Sequence, residues 1–228
     1  METPEPRSAG TRRHAVFIVD DHPLMRESLT ALFNRQPDLR VCGEAGDSAT
    51  AFAEIGRLQP DIVVVDLALP GESGLELVKR LQTLPRIPRA LVLSMHDESF
   101  FAERALRAGA QGYVMKHEAT DKVIDAIRRV LRGEAYVSGA LASQFARKIA
   151  GGRAAQDLPA VARLSDRELE VFRLLGQGVE TRRIAEQLHL SMKTVQAHSA
   201  NIKDKLGLGN ATELLREAVR WAEHQHFR

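Results

Sequence analysis

Residues 62–66 read Ile62-Val63-Val64-Val65-Asp66, four apolar residues closed by a carboxylate. The same figure recurs along the first part of the chain. Ala15-Val16-Phe17-Ile18-Val19 is closed by Asp20 and Asp21, Ala90-Leu91-Val92-Leu93 by Ser94, and Gly112-Tyr113-Val114-Met115 by Lys116. Short apolar runs separated by helix-like stretches read as strands of a parallel sheet buried on both faces. Ligands of such sheets bind outside the carboxyl ends of the strands. The sequence therefore predicts one pocket built from three carboxylates, a hydroxyl and an ammonium.

Working outward from these runs, strands are predicted at 15–19, 39–45, 61–65, 89–94 and 112–115. Helices are predicted at about 23–36, 48–58, 73–82, 98–108 and 119–132. Pro23 suits the first turn of a helix, where its missing N–H is not needed. Gly109 stands where a left-handed cap would end the fourth helix. Five βα repeats imply a doubly wound, flavodoxin-like (βα)5 domain over residues 14–132. The strand order 2-1-3-4-5 would set the first and third strands side by side and bring Asp20, Asp21 and Asp66 together.

From Gly133 the texture changes. Residues 133–163 read as a linker, with a possible amphipathic helix at 139–150 through Leu141, Phe145 and Ile149. Gly151-Gly152 and the stretch to Pro159 look flexible. Residues 164–228 carry helical signals alone and predict a small all-α, four-helix domain. Ser165…Glu168 and Asn210…Glu213 are spaced as capping boxes. Helices at about 180–188 and 191–206, joined through Leu188-His189-Leu190, have the spacing of a helix-turn-helix.

Composition excludes little. The chain has 228 residues, a net charge of +2 and one cysteine, Cys42, so no intrachain disulfide is possible. Cys42 reads as a core-facing strand residue. No apolar run nears the ~18 residues that span a bilayer, so no membrane association is expected. Residues 1–13 lack the apolar stretch of a secretory signal and read as a disordered tail of a cytoplasmic protein. Residues 14–132 hold 15 Lys+Arg against 17 Asp+Glu. Residues 164–228 hold 10 against 9. Neither part is basic enough to imply nucleic acid on charge alone. The eight histidines are scattered without metal-ligand spacing, and no zinc site is expected.

The pocket has a definite chemistry. Clustered carboxylates repel one another, and a hard cation relieves the repulsion. Mg²⁺ favours carboxylate oxygen while keeping several waters. Asp21 and Asp66 are the expected direct ligands, with Asp20 acting directly or through water. An aspartate is also a nucleophile able to form an acyl phosphate, and Lys116 can pair with phosphoryl oxygens.

Asp20-Asp21, Asp66 with Pro70 and Gly74 in D-x-x-x-P-x-x-x-G spacing, Ser94, Tyr113 and Lys116 together resemble the receiver domain of bacterial response regulators. The resemblance implies that Asp66 is the phosphoacceptor of a sensor histidine kinase. It also implies that the backbone carbonyl of Ala68 is a metal ligand, and that Ser94 and Tyr113 are the switch hydroxyl and switch aromatic. The bland alternative for Tyr113 is a half-buried ring with its hydroxyl in water. One departure is His117, where many receivers have proline.

In the C-terminal part, Leu164-Ser165-Asp166-Arg167-Glu168-Leu169-Glu170-Val171, Ile184-Ala185-Glu186-Gln187-Leu188, Ser191-Met192-Lys193-Thr194-Val195 with His198, and Lys205-Leu206-Gly207 resemble the LuxR-type DNA-binding domain. Joined to a receiver, they resemble the NarL/FixJ class of response regulators. Thr194 and the early N–H groups of the recognition helix are candidates for phosphate contact. Lys193, Lys203 and Lys205 would add attraction independent of sequence. Gln196 suits an adenine edge and Ala197 a thymine methyl, with His198 and Asn201 between these roles. Val195, Ile202 and Leu206 read as core. Two departures are Ser199-Ala200, where relatives often offer a basic residue, and Glu180, in place of a small capping residue.

The expectation is a phosphorylation-controlled transcription regulator that binds double-stranded DNA and is a homodimer when active. Two other readings stand beside it. One is a Mg²⁺-dependent phosphohydrolase, which often places a second Asp two residues after the nucleophile; here that position is Ala68. The other is a regulator activated without phosphorylation.

Overall fold

A computed structural model describes residues 13–95, 98–118, 120–150 and 160–226. The tail expected over residues 1–13 (all but Arg13) and the flexible stretch 151–159 lie outside them, as does the side chain of Ile149.

Five strands, β1 (His14–Val19), β2 (Leu39–Ala45), β3 (Ile62–Val65), β4 (Arg89–Ser94) and β5 (Gly112–Met115), form one parallel sheet. Their order is β2-β1-β3-β4-β5, as the flavodoxin-like reading requires. Helices α1 (Pro23–Asn34), α2 (Ser48–Leu58), α3 (Gly74–Leu81), α4 (Glu98–Ala108) and α5 (Thr120–Leu131) connect and cover it. Two cores result, one on each side of the sheet. Val16, Ile18, Val64 and Leu91 point to the α1–α5 side, and Phe17, Val63, Val65 and Val92 to the other. The alternation follows from the two-residue period of a strand.

The central strands are buried on both faces, as their unbroken apolar runs require. The edge strand β2 departs from that expectation: its middle is only partly covered, and Cys42 is half-buried. An edge strand has a neighbour on one side only, so fewer of its residues are screened from water.

Helix α6 (Gly139–Ala150) follows, with Leu141 buried and Phe145 packed against the core. A 3-10 turn at Ala160–Arg163 leads into α7 (Asp166–Gly176), α8 (Thr181–Gln187), α9 (Met192–Leu206) and α10 (Ala211–His226). Leu169, Phe172, Ile184, Val195, Ile202, Leu214 and Ala218 are buried in this bundle. Leu206, expected in the core, is partly covered at the last turn of α9. The ring of Trp221 lies 5.6 Å from that of Phe172, a tilted aromatic pair. Gly176 permits α7 and α10 to cross closely, since a Cβ there would stand 2.4 Å from the Ala218 carbonyl oxygen.

The caps follow the sequence with one correction. Ser165 and Glu168 form the full reciprocal box at α7. At α10, Asn210 accepts from the Glu213 N–H, but the Glu213 carboxylate turns to the Gly209 N–H and the Asn210 side-chain amide. The small Gly209 lets the chain approach from one residue earlier, and the box closes there. Glu180 makes no side-chain cap at α8.

The two parts touch. Asp166 lies between Arg104 Nη1 (2.9 Å) and Lys79 Nζ (3.2 Å), and Arg104 also donates to the Leu164 carbonyl. The core on the α2–α4 side of the sheet runs on into the core of the helical bundle.

Candidate functional site

Parallel pairing sets the strand ends level. Val19 pairs with Val65, Val65 with Val92, and Ser94 with Met115. The ladder continues just past the strands, where the Asp66 N–H donates to the Val19 carbonyl and the Lys116 N–H to the Ser94 carbonyl, both at 2.8 Å. Asp20, Asp21, Asp66 and Lys116 are therefore the first or second residues beyond their strands, and Ser94 is the last residue of β4. Asp20, Asp66 and Ser94 are buried, with Asp66 only 4% exposed.

Lys116 binds this centre together. Its Nζ lies 2.6 Å from Asp20 Oδ2 and 2.6 Å from Asp66 Oδ2. Burial opposes the charge on Lys116, but Asp66 and Asp20 overcome it and hold its pKa above the usual lysine value. Burial pushes the Asp66 carboxyl up to about 6, against the Lys116 ammonium and the Ala68 N–H, which pull it down. A carboxylate so placed is desolvated and oriented, two properties that favour attack on an electrophile.

Gly74 explains the fixed spacing after Asp66. A Cβ at Gly74 would meet the Asp66 carbonyl oxygen at 1.9 Å. The first turn of α3, capped by Ser73, thus lies directly against the backbone of Asp66. Its N–H donates to the Leu67 carbonyl and holds the loop in place.

Asp20, Asp21, His22 and Asp66 offer ligand atoms that all lie within 4.8 Å of one another. Asp21 Oδ1 is buried and accepts no hydrogen bond, with His22 Nδ1 an ion-pair neighbour 2.6 Å away. An unsatisfied carboxylate oxygen beside two other carboxylates fits a hard divalent cation. His22 joins this cluster, although the histidines read as scattered and without metal-ligand spacing. Its adjacency to Asp21 was the available signal. His189 also reaches the centre: Nε2 of this helix-turn-helix residue stands 2.8 Å from Asp21 Oδ2. Nothing in the sequence brings residue 189 to residue 21.

Ser94 and Tyr113 are both buried, on adjacent strands. The half-buried alternative for Tyr113 does not hold, since only 1% of the residue is exposed.

On α9, Lys193, Gln196, Ala197 and Asn201 are exposed, and Thr194, His198 and Lys203 are half-buried. Burial holds the His198 imidazole below its usual pKa. Two expectations change. The Thr194 N–H is already taken by the Ser191 cap at 3.0 Å, so it is not open to a phosphate. Lys205 is exposed, but its Nζ is tied to Glu168 Oε2 at 2.6 Å.

Comparisons with known proteins agree with this geometry. Residues 16–128 match the response regulator receiver domain, and residues 162–218 match the bacterial regulatory proteins of the luxR family. The chain is 37% identical to the Fimbriae Z protein of Salmonella typhimurium, covering 88% of this chain and 94% of that one. It is 33% identical to the oxygen regulatory protein NreC of Staphylococcus carnosus, covering 90% and 96%. Among solved structures it resembles a LuxR-family two-component response regulator from Aurantimonas sp. SI85-9A1. That match has a TM-score of 0.56 and 36% identity, over 60% of this chain and 99% of that one. It also resembles RcsB of Salmonella enterica serovar Typhimurium bound to promoter DNA, with a TM-score of 0.59 and 26% identity over 91% and 98%. With an acidic centre at a level sheet edge, a capped helix-turn-helix behind it and relatives matched across both, the chain belongs to the NarL/FixJ class of response regulators.

Proposed function

We propose that Asp66 is the residue through which this transcription regulator is controlled. The observation that carries the reading is the Asp20–Lys116–Asp66 triad at the level strand ends. An Asp66 carboxylate oxygen attacks the phosphorus of a phosphohistidine on a sensor kinase; the O–P bond forms as the P–N bond breaks. Lys116 pairs with the phosphoryl oxygens as negative charge gathers there. Asp20, Asp21 and Asp66, with the Ala68 carbonyl, would hold Mg²⁺, which neutralises charge on the transferring group. Ala68 supplies no acid or base two residues after Asp66, which favours a stored phosphoryl group over turnover, and so a regulator rather than an enzyme.

Phosphorylation adds roughly −1.5 to −2 charges and three acceptor oxygens beside Ser94. Ser94 turns toward them and Tyr113 follows into the vacated space. The output is α9 in the major groove of double-stranded DNA, read through Gln196, Ala197, His198 and Asn201. Lys193, Lys203, Lys205 and the Thr194 hydroxyl face phosphates, with Lys205 first leaving Glu168. RcsB dimers are described on DNA, and a homodimer on paired half-sites is the active form we propose here. We assign residues 14–132 to the receiver, 133–163 to the linker and 164–228 to the DNA-binding domain. Among the described residues no helix is long and apolar enough to cross a membrane; a cytoplasmic location accords with that.

Acetyl phosphate with Mg²⁺ tests the reading on the purified protein. The wild type is expected to form a phosphoryl adduct labile to alkali and hydroxylamine and to bind promoter DNA more tightly, and Asp66→Ala to do neither. An adduct of equal yield on Asp66→Ala removes Asp66 from the role.

A further inference from the structure

The turn between α8 and α9 is the part of the helical domain that meets the acidic centre. His189 holds the left-handed conformation there, with φ of 52°. From this turn its Nε2 reaches Asp21 Oδ2 at 2.8 Å. Arg167 braces the same turn: one nitrogen, Nη2, donates to the Leu188 carbonyl and to the Leu69 carbonyl, both at 3.0 Å. Leu69 is the third residue after Asp66, and its side chain is buried although it belongs to a loop. Asp166, between Lys79 and Arg104, anchors the start of α7. Of these contacts, that of His189 alone falls on a carboxylate of the acidic centre.

Both oxygens of Asp21 therefore have an imidazole neighbour, His22 on Oδ1 and His189 on Oδ2. His22 is an exposed residue and can turn into water. The His189 side chain is also exposed, at 48%, but its backbone is held in the turn and the turn by Arg167, so its place beside Asp21 is set by the docked helical domain. A Mg²⁺ ion at Asp21 demands near-octahedral coordination and keeps several waters, which need the room that His189 fills. We infer that His189 and a divalent cation compete for Asp21, so that filling the pocket loosens the helical domain from the receiver. The inference rests on the reading of the pocket as a receiver's cation site. Linkage makes the effect reciprocal: the factor by which the cation weakens docking is the factor by which docking weakens the cation. The recognition face of α9 is exposed while the turn is docked. Docking thus acts by holding the turn against the receiver rather than by covering the reading side chains.

The test uses the full chain with Mg²⁺ alone and no phosphodonor. Mg²⁺ affinity is measured by calorimetry, and the radius of gyration by small-angle scattering. His189→Asn and His189→Gly are compared with wild type, since both residues accept a left-handed backbone. The expected result is Mg²⁺ binding about fivefold tighter in both variants. Wild type should expand on adding Mg²⁺, and the variants should be expanded before it is added. Equal affinity in wild type and both variants overturns the competition, as does a wild-type radius unchanged at saturating Mg²⁺. Asp21→Asn separates the two failures. If Mg²⁺ binds wild type but not Asp21→Asn, the cation site stands whatever His189 does. If Mg²⁺ binds none of the proteins, the site and the competition fall together.

Discussion

The acidic centre and the face of α9 are both polar, but their polar groups are satisfied in opposite ways. At the sheet edge, Asp20, Asp66 and Lys116 are buried and answer one another at 2.6 Å. On α9, Gln196 and Asn201 point into water. A buried set of charges is preorganised and reports small changes, because removing one member leaves the others uncompensated. An exposed set carries no such penalty and can wait for an external partner. The first is built to sense and the second to read.

Three substitutions and one titration would break or sharpen this contrast. Lys116→Ala should have the largest effect, slowing Asp66 phosphorylation by acetyl phosphate about 100-fold; a rate within twofold of wild type would show that the ammonium is not part of the chemistry. Gly74→Ala follows. Its methyl must push α3 away from the Asp66 carbonyl, and the loss of stability in urea unfolding should be about 3 kcal/mol. Gln196→Ala should leave stability unchanged and lose about 1–2 kcal/mol of discrimination at one base pair, read by binding to a panel of substituted operators. A uniform loss across the panel would make Gln196 a backbone contact instead.

The titration is a pH dependence of stability inside the helical domain. Burial pushes the Glu170 carboxyl up to about 7, against Arg167 at 2.6 Å. A carboxyl whose folded pKa lies above its unfolded value binds its proton more tightly when folded. Stability is then greatest below about 4.5 and is lost as pH rises through about 7, after which it levels off. The loss should be on the order of 3 kcal/mol, and Glu170→Gln should flatten it. An unchanged slope in the variant would place the titration elsewhere.

The strand runs, their order and the residues closing them were legible because a buried parallel strand needs an unbroken apolar sequence. The cap at Ser165 was legible because capping is local. Legibility failed wherever a contact joined residues far apart. Lys205 reads as a free cation until Glu168 is seen beside it, 37 positions away. His189 reads as a turn residue until Asp21 is seen opposite. Gly74 carried a visible spacing, but the reason for it lies in a backbone approach that spacing does not state.

By itself the sequence determined which elements form, which side chains end up at the sheet edge and what chemistry they share. These depend on period, capping and residue type, which act over a few neighbours. The tertiary structure alone decided that the helix-turn-helix meets the receiver through Asp166, Arg167 and His189. It also decided that both oxygens of Asp21 are neighboured by imidazole. Such contacts arise when two separately folded surfaces meet, and no local pattern encodes which residues then face each other.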